Sequence, residues 1–311
     1  MPALSSFNLV VPQGTQVVSR VERRNAKGQV RCLAGSVGTI VRLPSDGSHT
    51  YRIQLPNGTE VSLKRHQFSI RKEYQAKGLE PSHVLSDFDL FDCVIFRCVV
   101  GSRAYGLDDE NSDTDRRGIY LPPASLHWSL YGVPEQLENH GTEECYWELQ
   151  KFLILALKAN PNVLECLYSP LVEHCSPIAA KLVDMRESFL SRLIYQTYNS
   201  YVLSQFKKME QDLRTRGSIR PKHAMHLIRL LLSGITVLEQ GFVPVDVDEH
   251  RDRLLDIKYE RMPWPEVNQW RLSLHEQFDL AFSRTRLPER PDYQQANDFL
   301  VWARQQAIEE I

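Results

Sequence analysis

The hydrophobic pattern changes period along this chain, and that change restricts the fold more than any other feature. Over residues 8–72 apolar residues fall in short, partly alternating runs, "TQVVSRV", "VGTIVRL", "HTYRIQL" and "TEVSLKR". The turn signals "AKGQ", "SDGS" and "PNGT" separate them, and Asn57-Gly58 is a strong hairpin signal. Buried-type strands follow at 94–100 ("VIFRCVV") and 117–121 ("RGIYL"), with a short third near 143–147. A helical spacing then begins, with Leu149, Phe152, Leu153, Ala156 and Leu157 on one face, and Asn160-Pro161 stops that helix. From about residue 177 the spacing is helical throughout, predicting helices over 177–187, 188–213, 221–240, 248–258, 263–285 and 292–310. The class is therefore α+β, with a small β-barrel at 1–76, an α/β domain at 84–170 and a helical domain at 171–311. The polar stretch "EYQAKGLEPSH" reads as the linker after the first of these.

With 311 residues, the chain is long enough for a substantial core. Its 37 Lys and Arg nearly balance 39 Asp and Glu, so any nucleic-acid or nucleotide contact must come from a local patch. Six cysteines are scattered without a CxxC pair, as expected of reduced core residues in a cytoplasmic protein, and no structural zinc is expected. The N-terminus lacks the basic and apolar regions of a signal peptide, and no uncharged run approaches the ~18 residues of a membrane span. The segment "GSVGTIVRL" with its following hairpin resembles small barrels of the Src-homology type. Arg20, Arg23, Arg24, Lys27, Arg31, Lys64, Arg65, Arg71 and Lys72 make that barrel either a solvated appendage or a binding module.

Residues 101–118, "GSRAYGLDDENSDTDRRG", carry the chemistry. Gly101 after a strand lets the backbone approach a ligand, and Ser102 adds a hydroxyl suited to a phosphate oxygen. On an extended strand Asp113 and Asp115 point to one face, where two carboxylates repel unless a cation lies between them. Such hard oxygen donors suit Mg²⁺, which takes one or two carboxylates together with substrate phosphates. On spacing alone, the pair reads equally as a metal site or as a polar turn.

Gly101-Ser102, ten residues, then Asp113-Thr114-Asp115 resembles the signature of the DNA polymerase β-type nucleotidyltransferase superfamily. More narrowly, "GSRAYG…SDTDRRGIYLPP", "YWELQKFLILALKANPNVLE" and "KHAMHLIRLL" are similar, in that order, to a bacterial RNA-repair-pathway subgroup of that superfamily. The resemblance spans about residues 90–260 and leaves the N-terminal barrel outside. It implies a mixed sheet with flanking helices and a third carboxylate on a neighbouring strand. The subgroup it resembles carries an acid five residues before the glutamate at the position of Glu148, so the resemblance implies Glu143 in preference to the adjacent Glu144, the strand register being unreadable from sequence.

The resemblance implies Mg²⁺-dependent nucleotidyl transfer from a nucleoside triphosphate. Asp113, Asp115 and Glu143 would hold two Mg²⁺ ions, with Gly101, Ser102 and Arg103 on the triphosphate tail. Arg116 and Arg117 either assist or balance the aspartates. The acceptor is expected to be an RNA end, with a protein hydroxyl as the alternative; an inactive nucleotide- or RNA-binding scaffold is the rival of another class. In "RPKHAMHLIRLLL" a single helix face carries Lys222, His226 and Arg229, with His223 beside it and Ala224, Leu227, Leu230 and Leu231 opposite. That polar face either packs on the α/β domain or, as the resemblance implies, meets nucleotide or acceptor phosphate. Lys151, Lys158, Asn160 and Asn162 are further candidates for the cleft.

Overall fold

The computed structural model describes residues 11–308, except 26, 45–49, 77–87 and 111. The chain divides into two compact units, Met1–His83 and Val84–Ile311. The expected turn at "SDGS" and most of the "EYQAKGLEPSH" segment lie outside the described residues.

In the first unit the alternating runs form strands β1 (Gln16–Ser19), β2 (Arg23–Arg24), β3 (Val30–Cys32), β4 (Val37–Arg42), β5 (Thr50–Gln54), β6 (Glu60–Lys64) and β7 (Phe68–Ile70), followed by helix α1 (Arg71–Ala76). Five of the strands make an antiparallel sheet in the order β6-β5-β4-β1-β7, and β2 pairs with β3. Alternation places Val17, Ile40, Tyr51, Ile53, Val61, Leu63 and Phe68 in one apolar cluster. The expected barrel is not closed: among the described residues no ladder joins the edge strands β6 and β7. Turn spacing specifies hairpins, whereas closure depends on strand tilt and stagger, which the hydrophobic pattern does not encode.

The second unit is a mixed sheet embedded in helices. Its elements are β8 (Val94–Val100), β9 (Asp115–Tyr120), α2 (Ala124–His127), β10 (Gln136–Asn139), β11 (Glu144–Glu148), α3 (Leu149–Leu157), α4 (Pro161–Tyr168) and β12 (Val172–Cys175). Then come α5 (Pro177–Asp184), α6 (Leu193–Arg216), α7 (Pro221–Gln240), α8 (Arg251–Lys258), α9 (Trp264–Arg284) and α10 (Tyr293–Gln306). The strand order is β10-β11-β9-β8-β12; β9 and β11 run parallel and the other neighbours antiparallel. Asn160-Pro161 ends one helix and opens the next: the Asn160 side chain accepts from the Asn162 amide, and Pro161 occupies the first turn of α4.

Glycine at position 118 is a condition of the sheet. A β-carbon there would stand 1.9 Å from the Phe96 carbonyl oxygen on β8. One apolar core runs from Phe96 on the sheet through Leu153, Tyr198, Leu231 and Phe278 to Ala307, so the sheet and the C-terminal helices share a single interior. The face of α7 opposite its polar residues, Ala224, Leu227, Leu230 and Leu231, is buried as its spacing predicts. Among the described residues no helix is long and apolar enough to cross a membrane.

Candidate active site

Strand β8 ends at Val100, paired across the ladder with Asp115, the first residue of β9. The chain between them leaves through Gly101, whose φ of 73° is in the left-handed region that glycine adopts at least cost. The turn then winds tightly: the Tyr105 amide donates to the Gly101 carbonyl at 3.0 Å and the Leu107 amide to that of Ser102 at 2.9 Å. Gly101 also makes room, because a β-carbon at that position would meet Asp115 Oδ2 at 2.7 Å. Bend and carboxylate therefore touch, as the interval between the two motifs requires.

The loop is held from far along the chain. The Val247 amide donates to the Tyr105 carbonyl at 3.2 Å, Arg251 Nε to that of Gly106 at 2.7 Å, and Lys258 Nζ to that of Leu107 at 2.9 Å. Lys258 also pairs with Asp109 at 2.7 Å. Three consecutive loop carbonyls are thus satisfied by α8 and the segment before it.

A cavity of about 730 Å³ opens beside this loop, within the range of small-ligand sites. Its lining includes Gly101, Ser102, Asp109, Asp113 and Asp115 from the loop, and Lys208, Arg220, Lys222, His223, His226, Arg229 and Lys258 from α6, α8 and α7 with the residue before it. Acidic and basic side chains thus share one cavity. That arrangement complements an anion whose far side is bridged to the carboxylates by cations.

The basic part of the lining rests on a buried network. Arg229, 3% exposed, donates from Nη1 to Glu165 Oε1 at 2.6 Å. Tyr105 donates its hydroxyl to Glu165 Oε2 at 2.7 Å and lays its ring 3.7 Å from the guanidinium carbon. Burial works against charge on Arg229, but Glu165 outweighs it and raises the guanidinium further above its ordinary value. Burial of Tyr105, with Glu165 adding to it and Arg229 opposing, pushes the phenol well up, so it stays a hydrogen-bond donor. His226 Nδ1 lies 3.2 Å from Arg229 Nη2, and burial together with Arg229 lowers its pKa to about 3, keeping it neutral.

Of the residues singled out in the sequence, Gly101, Ser102, Asp113, Asp115, Lys222, His226 and Arg229 meet in this cavity. Arg103 is exposed, donates to the Ser112 carbonyl at 2.8 Å, faces Asp108 at 3.8 Å and is not among the cavity-lining residues. Arg116 turns to Glu173 at 2.8 Å, and Arg117 lies 3.5 Å from Asp115 Oδ1. Lys151 pairs with Glu135 and Asn160 caps α4, both away from the cavity lining.

Neither candidate for the third carboxylate, Glu143 or Glu144, is among the cavity-lining residues. Glu144 is in register with Arg116, so alternation puts it on the opposite face from Asp115; the ladder begins there, and Glu143 precedes it in the turn before β11. Glu143 is exposed, with φ 53°, and its carbonyl accepts from the Arg116 amide at 3.0 Å. Among the described residues no three His, Cys, Asp or Glu side chains gather as a metal cluster. Asp113 and Asp115, with room made by Gly101, are hard donors that fit a divalent cation whose shell is completed by phosphate oxygens.

Tyr105, Glu165, Lys208, Asp212 and Lys258 were not singled out from the sequence. Only Glu165 left a signal there, as a lone acid in the apolar run "NVLECLY". A carboxylate in such a run needs a buried partner.

The family model described as RNA repair pathway DNA polymerase beta family matches residues 70–302. The chain is also 26% identical over 156 residues to a Bacillus subtilis (strain 168) protein described as Uncharacterized protein YcgL. That match spans 49% of this chain and 58% of the relative's length. The cavity, the Gly-Ser bend and the Asp-x-Asp segment, of which only Asp115 lies on β9, all fall within the matched residues, and the chain belongs to the RNA repair pathway DNA polymerase beta family.

Proposed function

We propose that this chain transfers a nucleotide from a nucleoside triphosphate to an acceptor hydroxyl, releasing pyrophosphate. The observation that carries the reading is one cavity lined by Gly101, Ser102, Asp113 and Asp115 together with Lys208, Lys222 and Arg229. Family membership supports the class of reaction. Asp113 and Asp115 would hold two Mg²⁺ ions, with Glu143, in the turn just before β11, the third candidate ligand. When bound, the metal activates the attacking hydroxyl and offsets charge on the departing pyrophosphate. Gly101 and Ser102 would cradle the triphosphate, Lys222 and Arg229 would offset its charge, and the neutral His226 would add a hydrogen bond. Arg103 acts here as a brace of the loop through the Ser112 carbonyl.

The acceptor proposed is an RNA end. The family description names RNA repair, and the first unit carries Arg20, Arg23, Arg24, Arg31 and Lys64. Six free cysteines favour a cytoplasmic setting. The absence of a three-donor cluster among the described residues favours, as a second reading, an inactive nucleotide-binding scaffold. A thermal-shift panel of the four triphosphates, with and without Mg²⁺, tests the class: stabilisation that requires the metal supports it. Labelled triphosphates incubated with RNA and with candidate proteins then separate the acceptors. Label on polypeptide alone removes the RNA reading, and metal-dependent binding with no transfer leaves the scaffold.

A further inference from the structure

Two histidines one turn apart on α7 line the same cavity, and their partners set them in opposite tautomers. His226 Nδ1 lies 3.2 Å from Arg229 Nη2. A guanidinium only donates, so this nitrogen accepts and the single ring proton of the neutral imidazole sits on Nε2. His223 Nδ1 lies 2.7 Å from Asp212 Oδ2. Asp212 is buried on α6; its burial opposes ionisation, but the His223 contact, the Arg220 amide at 3.2 Å and the Arg220 side chain hold its carboxyl below the usual range. An ionised carboxylate only accepts, so His223 donates from Nδ1 and its Nε2 keeps a lone pair. Because Nδ1 is turned toward α6, Nε2 is the nitrogen left for the cavity that His223 lines.

We infer that His223, oriented by Asp212, takes the proton from the attacking hydroxyl, while His226 donates its Nε2–H to a phosphate oxygen of the same substrate. The inference rests on the nucleotidyl-transfer reading and extends it to the acceptor side. In the step, the hydroxyl proton passes to His223 Nε2 as the oxygen's electron pair bonds to the α-phosphorus. The bond from that phosphorus to the pyrophosphate oxygen breaks, and its electrons leave with pyrophosphate. The resulting imidazolium keeps its Nδ1–H on Asp212, whose negative charge stabilises it. One helix turn thus offers an acceptor and a donor side by side, which suits a hydroxyl next to a phosphoryl group.

The tautomers are readable without any substrate. In the full chain labelled with ¹⁵N-histidine, long-range proton–nitrogen correlation at pH 8 should show His223 protonated on Nδ1 and His226 on Nε2. The reverse assignment at either ring overturns the inference. Asp212→Asn keeps its amide oxygen toward Nδ1, because the Arg220 amide donates to that same atom, and so removes the charge that stabilises the imidazolium without moving the His223 proton. Nucleotidyl transfer should then fall about a hundredfold or more at unchanged KM for the triphosphate. A rise in KM with unchanged turnover would make Asp212 structural and overturn the base assignment. Should Asp212→Asn not fold, His223→Gln gives the same kinetic test. A wild-type protein that transfers nothing removes the base role and its parent reading together, whereas correct transfer with reversed tautomers removes this inference alone.

Discussion

Asp115 Oδ2 stands 2.7 Å from the point to which a β-carbon on Gly101 would project. The glycine thus serves both the left-handed turn and the seat of the carboxylate. Gly101→Ala must adopt a φ near 73° that costs an L-residue about 1–2 kcal/mol, and must also displace Asp115. Denaturant unfolding should report a loss of that size. Mg²⁺-dependent nucleotide stabilisation should disappear in a protein that still folds.

Asp115→Asn separates chemistry from stability. Its contact with Arg117, at 3.5 Å between partly exposed side chains, contributes little, about 0–1 kcal/mol. Asp113 lines the same cavity, so removing one of the cavity's carboxylate charges should not cost stability. Transfer should be abolished while the melting temperature holds or rises; a large drop in melting temperature would assign Asp115 a structural role.

The Glu165–Arg229 pair predicts non-additive stability. Both side chains are almost fully buried, so Glu165→Leu alone leaves an unpaired guanidinium and should cost about 3–5 kcal/mol. Combining Glu165→Leu with Arg229→Met should recover most of that loss, because no buried charge remains. A double mutant as unstable as the sum of the singles would disprove the coupling.

His226 predicts a pH dependence of stability. Its folded pKa of about 3 lies below the unfolded value of 6.5, so between these the unfolded chain binds more protons. The stability it contributes is complete above the unfolded value and declines as pH falls toward the folded one. Unfolding free energies measured from pH 7 to pH 4 should slope more steeply for the wild type than for His226→Asn. The difference should approach one proton, about 1.4 kcal/mol per pH unit at the acid end. Parallel slopes would place His226 in water rather than in the buried network.

Elements set by local pattern were legible in the sequence. The helix expected over 221–240 is found over those residues, and the strand expected at 94–100 likewise. The strand expected at 117–121 starts two residues earlier, at Asp115, because the ladder with Val100 continues into the polar segment where hydrophobicity gives no signal. The Gly-Ser bend and aspartate pair could be found because their chemistry is local. The pairing of Asp212 with His223 and of Lys258 with the Leu107 carbonyl could not, since neither leaves a periodic trace. Glu143 lay between: its neighbour in register was countable, but the left-handed turn beneath it was not.

The interior that runs unbroken from Phe96 to Ala307 bears on how this chain could be re-engineered. Its C-terminal helices cannot be exchanged as a cassette for another recognition domain, since each graft would have to reproduce the floor of the sheet as well. Under the proposed function, new acceptor preferences would be reached residue by residue, at the cavity-lining positions of α6 and α7, with the shared interior left untouched.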